Sequence, residues 1–259
     1  MRMMKKVLGT VTVLALSVSL LAGCGSTAVS PVSSTASTAA ESTTSSVVSE
    51  TTSAAADENA AAAAQLLNDL TGSYQELWPV ILADEYQQTW LDDCTALVGE
   101  ENAEAAFEKL SSMVTGDVYG EDAVEAYANG GGAYFCGFTN DLATLTFDGE
   151  TSTISGTDKD GNVLFSHTYH YIGMEPVHGL YEFESGDADS GEFTYFFLAP
   201  DTSAETYHIE FRYGSDAEAL SQYDAGEYAY WVASGISTDC DQTMIDNCIE
   251  LFCTENLAG

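Results

Sequence analysis

The sequence predicts a mainly β fold with flanking helices, and three observations carry that prediction. Between residues 133 and 213, apolar and polar side chains alternate with period two in seven short segments rich in aromatic and β-branched residues. Turn-forming clusters, Asp148-Gly149, Asp158-Lys159-Asp160-Gly161-Asn162 and Ser185-Gly186-Asp187, stand between them. Stretches with the three- to four-residue spacing of helices precede and follow the β unit. Seven strands at this spacing close most simply as a barrel or a sandwich.

The chain begins with what reads as an address. Arg2, Lys5 and Lys6 form a positive region ahead of the apolar stretch 7–20, which is too short for a comfortable membrane span. The run Leu21-Ala22-Gly23-Cys24-Gly25-Ser26 resembles the lipobox of bacterial lipoproteins, in which the cysteine becomes the lipid-bearing first residue. A diacylated Cys24 would supply the two chains that stable anchoring takes. From residue 25 to 56, 24 of 32 residues are Ser, Thr or Ala, so this segment buries too little apolar surface to offset its ordering entropy. The expected organisation is a lipoprotein signal peptide at 1–23, a lipid-anchored tether at 24–56 and a folded domain at 57–259. The expected location is the extracytoplasmic face of the cell membrane.

Within that domain, the Ala-rich stretch 57–70 predicts a helix, and Tyr74, Leu77, Trp78, Val80 and Ile81 extend a helical face beyond it despite Pro79. At 100–114, Ala103, Ala106, Phe107, Leu110 and Met113 recur at three- and four-residue intervals, an amphipathic helix. A short helical turn at 122–128 precedes the Gly130-Gly131-Gly132 break. The predicted strands are 133–139, 142–147, 151–155, 163–171, 180–184, 193–198 and 206–213. A closing helix spans 239–256, with Met244, Ile245, Cys248, Leu251 and Phe252 on one face.

Charge narrows the function. Six Lys and Arg stand against 41 Asp and Glu, a formal charge of −35, and three of the six basic residues lie in the predicted signal peptide. Such a surface repels phosphate backbones, which excludes nucleic-acid binding and polybasic membrane docking and favours cations. Five cysteines follow Cys24: Cys94, Cys136, Cys240, Cys248 and Cys253. The number is odd, no CxxC occurs, and Cys240, Cys248 and Cys253, with seven and four residues between them, suit packing or one disulfide better than zinc. Asp158-Lys159-Asp160-Gly161-Asn162 has part of a calcium-loop pattern but lacks the distal Glu, so a hairpin turn explains it. A secreted hydrolase would need a placed carboxylate pair, which sequence does not locate. There is no serine elbow, P-loop or dinucleotide fingerprint, and the chain reads as a binding protein, not an enzyme.

The strand at 206–213 is the most informative. Alternation places His208, Glu210 and Arg212 on one face and Tyr207, Ile209, Phe211 and Tyr213 on the other. Same-face neighbours sit about 7 Å apart, so an imidazole and a carboxylate here can converge on one ion as two of the ligands of a zinc site. A solvated strand face explains the same residues.

The surrounding sequence resembles the ZinT/AdcA C-terminal family of bacterial zinc- and cadmium-binding proteins. The resemblance runs in order through Leu70-Thr71-Gly72-Ser73-Tyr74-Gln75-Glu76-Leu77-Trp78-Pro79, Tyr171-Ile172-Gly173, Tyr181-Glu182-Phe183-Glu184, Ala199-Pro200 and His208-Ile209-Glu210-Phe211-Arg212-Tyr213-Gly214-Ser215-Asp216. It implies a calycin-like (lipocalin-like) antiparallel β-barrel with N- and C-terminal helices, holding zinc, cadmium or another divalent transition metal through three histidines at one end. It also implies hand-over of the metal to a zinc ABC transporter. By position, the first histidine of the family's His-x-His falls on His208, the second on Glu210, and the third on Phe196, which cannot bind metal. Another donor must therefore enter, and His167, His178 or His170 is expected to join His208 and Glu210. The competing expectation is a metal-free barrel that binds an organic ligand or a protein partner through its aromatic interior.

Overall fold

The structure, a computed structural model, describes residues 58–199 and 208–258. The expected signal peptide, Cys24 and the tether lie outside the described residues, as do Pro200, Thr206 and Tyr207. Eight antiparallel strands form a closed barrel in which each strand pairs with its neighbours in sequence and β1 (Gly72–Glu76) closes on β8 (Ala233–Ser237). Between them run β2 (Thr144–Asp148), β3 (Thr153–Thr157), β4 (Val163–Met174), β5 (Tyr181–Ser185), β6 (Tyr195–Leu198) and β7 (His208–Gly214). The expected barrel with flanking helices is the observed architecture.

Register decides which side chains fill the barrel. Phe183 pairs with Phe196, Phe196 with Tyr213, and Leu198 with Phe211, so these rings share one face and meet inside. Phe147, Ile154, Phe165 and Tyr169 complete the interior, all almost wholly buried. The core is tight enough that a Cβ on Gly156 of β3 would overlap the Phe165 ring and Leu142. Each such ring contributes about 1.5–3 kcal/mol by leaving water. Helix α1, described over residues 58–69, sets Ala63, Leu66 and Leu67, with Leu70 after it, against this interior.

A second core lies outside the barrel wall. Helices α2 (Leu77–Ile81), α3 (Gln87–Val98), α4 (Ala103–Met113) and α7 (Gln242–Leu257) pack Trp78, Ile81, Trp90, Leu110, Ile245 and Ile249 together with Ile236 of β8. Two shorter helices, α5 (Glu121–Ala128) and α6 (Ala217–Leu220), lie in the connections. Pro79 is accommodated because it sits in the first turn of α2, where its missing N–H would have had no intrahelical partner.

Three expectations need correction. The helix expected to run on through Tyr74 is broken at Gly72, whose φ of +148° starts β1 instead. The expected strand 133–139 forms only isolated bridges at Phe135, to Thr115 and Trp231. Its backbone follows the segment 230–234 instead of a barrel edge, and Phe135 stacks on Tyr119 with ring centroids 5.6 Å apart. Finally, β8 and α3 were not expected. Strand β8 reads Ala-Ser-Gly-Ile-Ser, without the bulky alternation that marks a strand, because Gly235 lies against Ile209 and Phe138, where a Cβ would come within 3.1 Å of Ile209 Cγ1.

Candidate metal site

Strand β7 separates two environments. Ile209, Phe211 and Tyr213 point into the barrel, and His208, Glu210 and Arg212 point outward beneath the helices and the chain that follows. Arg212 is wholly buried, which corrects the reading of this face as solvated. Its guanidinium donates to the main-chain carbonyls of Leu220, Gln222 and Tyr228, and lies 4.2 Å from the centre of the Tyr223 ring. Burial pulls its pKa down, while Tyr223, Tyr134 and Glu175 act in the opposite direction. One cation thus fastens the segment 220–228 to the barrel by satisfying carbonyls that no strand or helix pairs.

His208 and Glu210 are half-buried and line a cavity of about 30 Å³ between β7, α2 and α7. Apolar walls come from Leu77, Trp78 and Ile81, and from Leu251 and Phe252. The same cavity is lined by Cys248 and Glu255, which stand seven residues apart on α7. Seven residues are two helical turns, so both face β7. A space of this size admits a water molecule or an ion, and no organic ligand. Burial pushes the Cys248 thiol up to about 12, with Glu210, Cys240 and Glu255 adding to the shift. Cys136 is likewise pushed up to about 12, by burial and then by Glu210. Burial is what chiefly keeps these thiols protonated, and the nearby Glu210 carboxylate adds to it.

Imidazole nitrogen, two carboxylates and a sulfur match the borderline donor preferences of zinc. The four groups are not drawn together as a ligand set, however. Among the described residues, no three His, Cys, Asp or Glu side chains lie close enough to hold a metal.

The other expected ligands stand elsewhere. His167 lies on the inner face of β4, 9% exposed, with Nδ1 2.9 Å from Asp187 Oδ2 and Nε2 buried without a hydrogen-bond partner. His178 sits in the turn between β4 and β5 with its ring centre 3.7 Å from that of Tyr223. Its Nδ1 is 3.5 Å from Oε2 of Glu175, a wholly buried carboxylate that accepts hydrogen bonds from the backbone N–H groups of Val177 and His178. His170 faces outward, as alternation along β4 requires, 3.5 Å from Glu184. None of these three lines the cavity at His208.

Phe196 is the sharpest departure. It is wholly buried inside the barrel, 5.3 Å from Tyr169 and 5.4 Å from Tyr213 between ring centroids. Because it pairs with Tyr213, five residues from His208, it projects from the opposite face of the sheet. A histidine there would point into the aromatic core and away from His208. What sequence reasoning missed was the contribution of α7. The Cys248–Glu255 interval was the available signal, but only the packing of α7 on the barrel makes it meaningful.

No protein-family model matches the chain, and no curated protein matches it. Among solved structures it is similar to the Zn(II)-bound ZinT-like domain of Streptococcus pneumoniae AdcA, with 16% identity and a TM-score of 0.45 over 71% of this chain and 89% of that one. It is also similar to Zn(II)-bound AdcA from Streptococcus pneumoniae, with 15% identity and a TM-score of 0.42 over 72% of this chain and 35% of that one.

Proposed function

We propose that this chain is a binding protein for a divalent transition metal, zinc by donor chemistry, at the seam between β7 and α7. The supporting observation is that His208, Glu210, Cys248 and Glu255 line one ion-sized cavity in a chain of strongly negative charge. In this reading His208 and Glu210 are the strand-borne donors, and Cys248 and Glu255 face them from the helix. The four side chains turn inward around the ion when it enters. Imidazole must be deprotonated and the Cys248 thiol must lose its proton to bind, so affinity falls below about pH 6 and binding releases protons at neutral pH. We further propose that Cys24 carries the lipid, that the domain stands on the extracytoplasmic face of the membrane, and that it passes its ion to an uptake transporter. The support is the lipobox-like run around Cys24 and the acid-rich chain, which concentrates cations near the site. No reaction is assigned.

Calorimetric titration with zinc tests the reading. The purified protein should bind about one equivalent, and a His208→Ala/Glu210→Ala variant should bind roughly 100-fold more weakly, about 2.7 kcal/mol. Equal affinity in the two proteins contradicts the proposal. The aromatic interior offers little to an organic ligand, since Phe165 and Phe193 stack with centroids 4.0 Å apart and Phe196 fills the space beside them. An apolar ligand would find its room outside the barrel, in a groove of about 350 Å³ bordered by Glu76, Trp78, Leu82, Val114 and Phe135.

A further inference from the structure

The sulfurs of Cys94 on α3 and Cys253 on α7 lie 3.9 Å apart, at contact distance, although 159 residues separate them in sequence. Both side chains are wholly buried in the helical core. The remaining cysteines have other surroundings: Cys136 lies at the groove beside Trp78, Cys248 lines the cavity of His208 and Glu210, and Cys240 is only half-buried ahead of α7. Sequence alone left the pairing open, and packing selects one pair.

We propose that Cys94 and Cys253 form a disulfide in the oxidised protein, stapling α3 to α7. Closure requires the sulfurs to approach by roughly 2 Å, through rotation about the two Cα–Cβ bonds together with a small approach of the helices. The oxidant is a disulfide-bearing small molecule or protein. One cysteine thiolate attacks a sulfur of that oxidant and expels the first thiolate. The second cysteine then attacks the mixed disulfide and releases the other. Two thiol protons leave the protein and two electrons reduce the oxidant to two thiols.

The surroundings also set when the exchange occurs. Both sulfurs are enclosed by the packing of α3 on α7, with no exposed surface in the folded protein. In the folded protein they are out of reach of the oxidant, so the bond forms while α7 is still undocked. Once made it is shielded from reductant by the same packing. The bond closes a loop that spans most of the folded domain and fixes the helix that carries Cys248 and Glu255.

The test needs no metal and so stands apart from the zinc reading. The full-length protein is unfolded, refolded with oxidised glutathione, alkylated without reduction and digested. The expected result is a linked peptide pair joining Cys94 to Cys253, two hydrogen masses lighter than the separate peptides. Dithiothreitol should cleave it slowly in buffer and rapidly in denaturant, with a fall in Tm of roughly 10 °C on cleavage. Alkylation of both Cys94 and Cys253, or a bond from either to a different cysteine of the chain, overturns the proposal.

Discussion

The two faces of β7 obey different rules. Inward, Ile209, Phe211 and Tyr213 join an aromatic packing in which rings meet inside the barrel and the Tyr213 hydroxyl is satisfied by the backbone of Thr139. Outward, His208, Glu210 and Arg212 lie under helices and loops, where every polar group must find a partner or an ion. The inner face builds the core, and the outer face carries the residues of the proposed site. A ligand set inferred from sequence order alone mixes the two, as the Phe196 position demonstrates.

Replacing Phe196 by histidine is the strongest way to break this division. The inner face should reject the imidazole, with a loss of about 3–5 kcal/mol in denaturant unfolding from lost packing and an unpaired polar group. Zinc affinity should not rise. A gain in zinc binding would show that the two faces communicate after all. On the outer face, Arg212→Lys should cost about 1–3 kcal/mol, because an ammonium cannot span the carbonyls of Leu220, Gln222 and Tyr228. A stability equal to wild type would refute the fastening role.

The barrel was legible in the sequence because its inner face repeats with period two through β2 to β7, and the rings needed for an aromatic core recur at those positions. The closing strands were not. Strand β1 follows an Ala-rich helix with only Gly72 to mark the change, and β8 is made of small residues chosen by what presses against them. The site was half legible. Alternation placed His208 and Glu210 together on one face, which the structure retains. Cys248 and Glu255, which line the same cavity, come from a helix some forty residues later, and no local pattern states that this helix comes to border it. His167 and His178 were plausible donors by residue type, and topology distributes them to the barrel interior and to a turn.

Smaller effects sharpen the outer face. Cys248→Ser should weaken zinc binding about tenfold and reduce the proton release seen when calorimetry is repeated in buffers of different ionisation enthalpy. Unchanged proton release would remove sulfur from the site. Alkali should act on the same region. The thiols of Cys136 and Cys248 have folded pKa values near 12 against an ordinary value of 9.0, so the folded state holds their protons more tightly than the unfolded chain does. Their contribution to stability is complete below pH 9 and is lost as pH rises through 12. Urea midpoints measured across that window should fall with pH, and the slope should flatten in a Cys136→Ser/Cys248→Ser variant. His178→Ala, remote from the cavity, should leave zinc affinity within about twofold of wild type, a change of roughly 0.4 kcal/mol or less. A larger loss would place this histidine in the site.

X-ray absorption at the zinc edge of the loaded protein tests the central claim most directly. The account predicts a mixed shell with one sulfur at about 2.3 Å and nitrogen and oxygen donors at about 2.0–2.2 Å, the sulfur contribution vanishing in Cys248→Ser. A shell of histidine nitrogens without sulfur, or zinc that washes away in dialysis, would contradict it.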